Sequence, residues 1–436
     1  MKRCLVIGML LALCMGMIAK ETPRRYYRSA LTSILVYHPE DEFGYDVYQI
    51  YKNLPTPDKY DNHPIGFQVL DNAYIYGVEG SAKGLNRQRY GQSLVLTAEE
   101  KEANAAAILN ELEKGEVAKH IVARWFDWSG EDIQNAVFGT QTIEDRSDYN
   151  VSFMEAEKIK YTIEGKTALR DVGEELIKNS FVLVSDITYI TVEDRAKAAK
   201  ITFGVLGGIA DILTGGNSGS RLAQAVGDIA DSYTGFKVMT HTYLYQLIWD
   251  ADKMNEFFVR YYSETPNPDK MRAFINDKSL CHLRYVGTES SSFEKTERKG
   301  KYNRNELLQF ITARSIDKNI AALQTKHEAF RVKTPITSVE YNKRGKLVGF
   351  RAMIGEKEDV RNTSKFEVLE VAIENGKVKF NKIGTVKAVN NQIWDNRFNA
   401  LKENDVDVSV EGTLFKPKGT MSKTVVPGML LRLKKQ

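Results

Sequence analysis

The chain has 436 residues, 42% hydrophobic and 27% charged, and Lys+Arg 61 against Asp+Glu 57 gives a net charge of +4. That balance fits a folded globular chain and excludes wholesale disorder, which needs fewer apolar residues and a larger charge imbalance. Ten prolines and 31 glycines exclude a collagen-like or linker-dominated chain, and a charge of +4 spread along the sequence gives no basic stripe of the kind a dedicated nucleic-acid binder carries.

Lys2 and Arg3 precede an uncharged, mostly apolar run over 4–19, which Lys20 and Glu21 close. The run is shorter than the ~20 residues that span a bilayer as a helix. The flanks predict a cleaved signal peptide, 1–19, and therefore an exported protein, periplasmic or outer-membrane-associated. An uncleaved anchor is the alternative, and Cys14 would be the site of lipidation, although Leu13 stands where a small residue is usual. After cleavage only Cys281 remains, so no internal disulfide is expected, and a chain of this length buries enough core without one.

Residues 26–96 are rich in tyrosine. Val47, Ile50 and Tyr51 have helical spacing before Pro55 and Pro57 stop the element. The stretch 55–66 reads as loop, and 66–78 as strand bounded by glycine. From 97 to 126 the pattern is helical. Thr97 and Glu100 suit a capping box, Ile108, Leu109 and Leu112 mark one apolar face, and Gly115 breaks the run before Val117, Ile121 and Trp125 resume it. A second helical pattern over 153–179 carries Leu169, Val172 and Leu176.

Residues 180–192 predict a strand buried on both faces, through Val182, Val184, Ile187 and Ile190, and 235–250 predict another. Between them, 195–235 is small, apolar and glycine-rich, and Ile209-Ala210-Asp211 recurs as Ile229-Ala230-Asp231. This predicts a helical hairpin inserted between two paired strands. Residues 253–328 read as helical with a polar loop over 286–304, and the last helix ends near Phe330. Beyond that point the composition favours strand, and Asn375-Gly376 between alternating runs is a strong hairpin signal. The expected architecture is α+β: a mixed helix and sheet domain over 20–328 with the hairpin inserted, then a small antiparallel β-barrel over 329–436.

The last part carries Ile354-Gly355-Glu356-Lys357-Glu358-Asp359-Val360, then Phe366-Glu367-Val368, Ile383-Gly384 with Val386, and Pro427-Gly428-Met429. This pattern resembles the small β-barrel domain that ends bacterial flagellar-assembly protein T and related envelope proteins, with Asp359 where a glycine is common. PTPDKYDNH (55–63), GEELIKNSFVLVSDI (173–187) and YLYQLIWD (243–250) resemble uncharacterised secreted proteins of Bacteroidetes-type bacteria. The two resemblances imply an envelope location and this architecture, and no activity.

No catalytic motif stands out. None of the six histidines, His38, His63, His120, His241, His282 and His327, lies in an HExxH arrangement, and no GxSxG elbow occurs. Cys281 and His282 are adjacent and would point apart in a strand, so they do not form a nucleophile and base pair. The glycine run from Gly215 to Arg221 lacks the Gly-Lys-Ser/Thr ending of a phosphate loop. No catalytic residue, cofactor site or metal site is assigned.

Two groups remain as candidate contacts. Trp125 and Trp128, beside Asp127, Glu131 and Asp132, combine ring faces with carboxylates as a glycan site would. Gly204, Gly207, Gly208, Gly215 and Gly216 would let the hairpin helices approach closely, for an oligomer or membrane-surface contact. The cluster of Lys295, Arg298, Lys299, Lys301 and Arg304 reads as a solvated loop. The function that follows is an exported, non-enzymatic cell-envelope protein with a structural, assembly or partner-binding role, as a homo-oligomer or with an envelope protein. The alternatives are a secreted glycan-binding or glycan-active protein and a membrane-associating protein using the hairpin.

Overall fold

The computed structural model describes residues 29–57, 59–75, 96–130, 132–147, 173–191, 233–298, 300, 302–331, 333–345, 347–374, 377–398, 400 and 412–434. The signal segment, the hairpin with its five glycines, and most of the helical pattern over 153–179 lie outside the described residues. The chain is mixed helix and sheet, with two sheets.

The first sheet starts with β1 (Ser29–Tyr37), which pairs in parallel with β2 (Tyr60–Asn62), β3 (Val69–Asp71) and β4 (Ser180–Thr191). β4 pairs antiparallel with β5 (Tyr233–Ile248), Phe181 opposite Gln246 through Thr191 opposite Phe236. The two strong strand patterns flanking the glycine-rich segment are therefore neighbours. All but one residue of β4 are buried, as expected of a strand with apolar residues on both faces, and Ser185 and Asp186 are buried with them.

Two helical layers cover the sheet. On one face lie α1 (Gly44–Asn53) and a long helix, α7, described below. On the other lie α2 (Ala98–Lys114), α3 (Val117–Trp125), α4 (Gln141–Ser147), α5 (Ala251–Arg260) and α6 (Pro268–Asn276). The Thr97/Glu100 capping box forms, and Gly115 ends α2. Phe126, Phe138, Phe257 and Phe274 build the aromatic centre of this layer, with Phe126 and Phe257 stacked at 4.1 Å.

Two expectations are corrected. The strand read over 66–78 is three residues long, β3, followed by a helical turn at 73–75. The polar loop read over 286–304 is a strand, β6 (His282–Arg298), paired along its length with β5. Gly287, Ser290, Ser291 and Ser292 and the alternating charges hide it in the sequence. The strong pattern of β5 supplies the pairing that local propensity does not. Lys295 and Arg298 belong to β6 and Arg304 opens α7 (Arg304–Lys326), while Lys299 and Lys301 lie outside the described residues. Gly287 is required where it stands, since a Cβ there would sit 2.3 Å from His327 Nε2.

The second sheet follows α7. β7 (Lys333–Tyr341), β8 (Leu347–Ala352), β9 (Lys365–Glu374), β10 (Lys377–Ala388), β11 (Thr413–Pro417) and β12 (Leu430–Leu433) pair antiparallel in a closed ring, in the order β10-β11-β8-β7-β12-β9. Its interior has a core of its own, with Phe366 against Phe415 at 4.9 Å. β9 and β10 pair with Lys377 opposite Glu374, and Asn375-Gly376, which carried the hairpin signal between them, lies outside the described residues. Asp359, at the position where glycine was expected, has φ +57°. Aspartate is among the few residues that tolerate that left-handed conformation.

His63, which follows β2, is completely buried. One ring nitrogen meets the Ile121 carbonyl oxygen at 3.0 Å, the other meets Arg146 at 3.3 Å, and Arg146 in turn covers Trp125 at 4.3 Å. Burial, then the Arg146 charge, pushes this imidazole down to about 3. An unfolded histidine takes up its proton near pH 6.5, so this group's stabilisation is full above that pH and is lost as the pH falls toward 3. Between pH 6.5 and 5 the loss amounts to about 2 kcal/mol. Denaturant titrations at pH 7 and pH 5 should show it, and His63→Gln should remove most of the difference while lowering stability at pH 7.

Candidate functional site

The Trp125 and Trp128 pair does not form a sugar platform. Trp125 is fully buried, and its indole N–H donates to Ser180 Oγ at 2.7 Å. Trp128 packs on the core against Phe274, and Gly130 lies so close to its indole that a Cβ would be 2.2 Å away. The neighbouring carboxylates are engaged in turns. Asp127 accepts from the Thr142 backbone N–H and hydroxyl at the start of α4, and Asp132 accepts from Gln134 N and Asn135 Nδ2. Glu131 lies outside the described residues. Cys281 and His282 do not face each other either. Burial pushes the thiol up to about 12, and His282 Nδ1 meets Glu113 Oε2 at 3.0 Å.

What the fold assembles instead is a cleft of about 400 Å³ between the first sheet, α7 and the closed strand ring. Such a volume lies in the range of small-ligand and peptide-segment sites, about 300–1,000 Å³. α1 contributes Tyr48, Tyr51 and Lys52, and the loop after it contributes Pro55 and Pro57. Tyr51 is held by its hydroxyl, which donates to the Ile34 carbonyl oxygen at 3.0 Å, and burial pushes its phenol up to about 12. The opposite wall is α7, through Ala313, Ile316, Asp317 and Ile320, and the ring closes the cleft with Lys357, Asn396 and Phe398.

In that third wall Lys357 belongs to the Ile354–Val360 segment, while Asn396 and Phe398 come from the stretch after β10. Gly355 pairs with Trp394 in an isolated bridge so close that a Cβ would lie 2.1 Å from the Trp394 oxygen. Lys357 N donates to Asn396 Oδ1 at 2.9 Å, and Asn396 Nδ2 donates to Glu358 at 2.9 Å. Lys357 Nζ reaches Asp317 of α7 at 3.8 Å. The cleft therefore offers aromatic and proline surface, three side-chain amides, and two ammonium groups, one of them beside the single carboxylate.

A second constellation sits beyond the ends of β1 and β3. His38 Nε2 meets Asp186 Oδ1 of β4 at 2.7 Å, and Asn72 Nδ2 lies 2.8 Å from His38 Nδ1 and also donates to Glu40. Asp186 stands opposite His241 in β5, and His241 stands opposite Ser290 in β6, with Nδ1 to Oγ 2.8 Å. One row across three strands thus holds a carboxylate, an imidazole and a hydroxyl on one face. The Asp186 Oδ1 contact is with His38, so the row supplies a proton-holding pair and a separate hydroxyl–imidazole pair. Sequence reading missed it because the members come from five separate segments. The register of β4, β5 and β6 was the signal that would have found it.

No protein-family model and no curated protein sequence matches this chain.

Burial lowers the His38 imidazole, but the Asp186 carboxylate outweighs it, and the net effect is a value above the ordinary one. A raised value means that the pair's stabilisation is full below pH 6.5 and fades as the pH climbs through the folded-state value. Asp186→Asn removes the largest counter-charge and leaves burial opposed only by Asp41 and Glu40. The His38 ring-proton titration followed by NMR should then move from above to below the ordinary histidine range.

Proposed function

We propose that this is an exported cell-envelope protein whose role is to bind a partner within an assembly, without catalysis of its own. The cleft is the observation that carries this reading. Its walls come from α1, α7 and the strand ring, and its lining mixes aromatic, proline, amide and paired charged groups in the way that partner-binding clefts do. The ring is read as a small β-barrel domain of the kind that ends flagellar-assembly protein T. The support is its closed strand order and the placing of the Ile354–Val360 segment in the cleft wall beside Trp394. The charged outlet of this signal-bearing sequence would be the periplasm or the outer membrane.

The tyrosine-rich segment favours a second occupant, a saccharide. Tyr48, Phe67 and Phe398 line the cleft together with Asn62, Gln68 and Asn396, and ring faces beside planar amides suit a sugar's apolar faces and hydroxyls.

The test is affinity purification of the tagged chain from a mild detergent extract of its native envelope, with the stoichiometry of co-purifying proteins measured. A stoichiometric partner is expected, and Thr56→Arg with Gln68→Arg, at half-buried and exposed positions of the cleft wall, should release it. Those substitutions should change unfolding stability by no more than about 0.5 kcal/mol. A lone monomer that binds on a glycan array would overturn the protein-partner reading in favour of the saccharide.

A further inference from the structure

The net charge, expected from the sequence to be spread along the chain, is uneven once counted by segment. From Lys333 to Gln436 the chain has twenty Lys and Arg against twelve Asp and Glu, so this segment carries +8 while the whole chain carries +4. The strand ring is the basic part of the protein.

Its register concentrates that charge. Lys387 of β10 stands directly opposite Lys365 of β9 on one side and opposite Lys416 of β11 on the other. Lys434 follows β12, and its backbone N–H donates to the Lys365 carbonyl oxygen at 2.9 Å, which extends the row to a fourth strand. Directly paired residues of neighbouring strands share a face, so the four ammonium groups stand side by side on the outside of the ring. All four are exposed. None has an ion-pair partner among the described residues. Lys418, also exposed, flanks the row where its N–H donates to the Thr385 oxygen.

The adjacent row shows that this ring can neutralise itself. Two residues along, Glu367 of β9 receives Arg432 of β12 at 2.8 Å and Lys382 of β10 at 2.9 Å, and these partners hold its carboxyl below the ordinary range although burial opposes them. Like charges placed directly opposite each other destabilise a sheet. A row of four with no internal counter-charge, beside a row that has one, points to a counter-charge supplied from outside.

We propose that the row Lys434–Lys365–Lys387–Lys416 docks the protein onto an anionic bilayer surface by contact with lipid phosphate groups. The row lies on the open outer face of the ring and not in the cleft, so it fits an extended surface better than an enclosed small molecule. Adjacent strands are about 4.8 Å apart, so the charges form a line of roughly 14 Å. None of the exposed aromatic residues among the described residues, such as Tyr285 and Tyr341, lies in this row. The stacking platforms that hold single-stranded nucleic acid are therefore missing from it. Lysines in this setting act as point charges on headgroup phosphates, and their effect is screened by salt.

The experiment is vesicle co-sedimentation of the chain freed of residues 1–19, whose apolar run would itself insert. Vesicles of phosphatidylcholine are compared with vesicles that also contain phosphatidylglycerol, at low and at physiological salt. The chain should partition to the anionic vesicles and be released by salt. Replacing Lys365, Lys387, Lys416 and Lys434 by Gln should weaken partitioning on the order of a hundredfold. Replacing the exposed Lys278, Lys318, Lys343 and Arg344 by Gln removes the same formal charge elsewhere and should weaken it far less. The row variant should melt no lower than the original chain, because cross-strand repulsion has been removed, so weaker binding cannot be ascribed to unfolding. Equal losses in the two variants, no binding to anionic vesicles at low salt, or equal binding to neutral vesicles would overturn the proposal. Salt-sensitive retention on single-stranded DNA without vesicle binding would also overturn it, by assigning the row to a different polyanion. The cleft variants leave this measurement unchanged, so failure here and failure of the partner reading are distinct results.

Discussion

The structure depends on one helix buried over most of its surface. α7 has fourteen buried residues, and they include Thr312, Arg314, Ser315, Asn319 and Gln324 as well as Leu307, Leu308, Ile311 and Leu323. A helix buried this widely must satisfy its polar side chains internally, because each unpaired one costs about 1–3 kcal/mol. Ser315, Asn319 and Gln324 do so against the sheet, whereas Thr312 Oγ1 and Arg314 Nε have no hydrogen-bond partner among the described residues. Ser315 Oγ donates to Thr240 Oγ1 at 2.7 Å, and Asn319 Nδ2 donates to the Thr240 carbonyl oxygen and to Thr242 Oγ1 at 2.8 and 2.9 Å. Gln324 Nε2 donates to Tyr60 Oη, and Tyr60 donates onward to the Phe330 carbonyl oxygen while stacking on its ring at 4.7 Å. These directional bonds fix the rotation of α7 about its axis, which apolar packing alone would leave loose. Once the rotation is fixed, Asp317 points to Lys357 and the cleft acquires its third wall.

How much of this was legible follows from where each constraint resides. β4 could be read because Val182, Val184, Ile187 and Ile190 place apolar residues on both of its faces, and β5 because Thr, Tyr and Leu alternate along it. α2 and α3 could be read because Thr97, Glu100 and Gly115 are local punctuation. β6 could not, because Gly287 and the serines beside it acquire strand geometry only by pairing with β5. The same holds for the candidate site. Trp125 and Trp128 looked available because sequence shows residue type and not burial, whereas Ser180 and Gly130, which enclose them, lie elsewhere or carry no side chain at all. The cleft draws on α1, α7 and the strand ring, and no spacing rule links Tyr48 to Asp317 and Phe398.

The two sheets deal with their edges differently, and this bears on what each can bind. The first sheet is open, and β6 is an edge strand of seventeen residues. An exposed edge invites strand addition, and charge along it is the usual protection. Glu294, Lys295, Glu297 and Arg298 supply that protection, with Lys295 and Glu297 3.6 Å apart. The ring has no such edge, because β10 closes it by pairing with both β9 and β11. Its outer charges are therefore not needed as an edge guard.

That difference changes the meaning of the two charge patterns. On β6 the signs alternate, so the strand repels a second strand's approach without a large net field, and its own charges partly cancel. On the ring the row of lysines has one sign, and the cost of repulsion is borne with no edge to defend. Charge that neither pairs internally nor guards an edge produces a field at the surface, and it attracts anionic groups over roughly a Debye length, about 8–10 Å at physiological salt. The cleft, in contrast, pairs Lys357 with Asp317, and Lys52 at its α1 wall is its other charged group. In the proposed reading two kinds of recognition are therefore separate: shape and mixed polarity would operate at the seam between the two sheets and charge alone on the outside of the second, so each could be lost without the other.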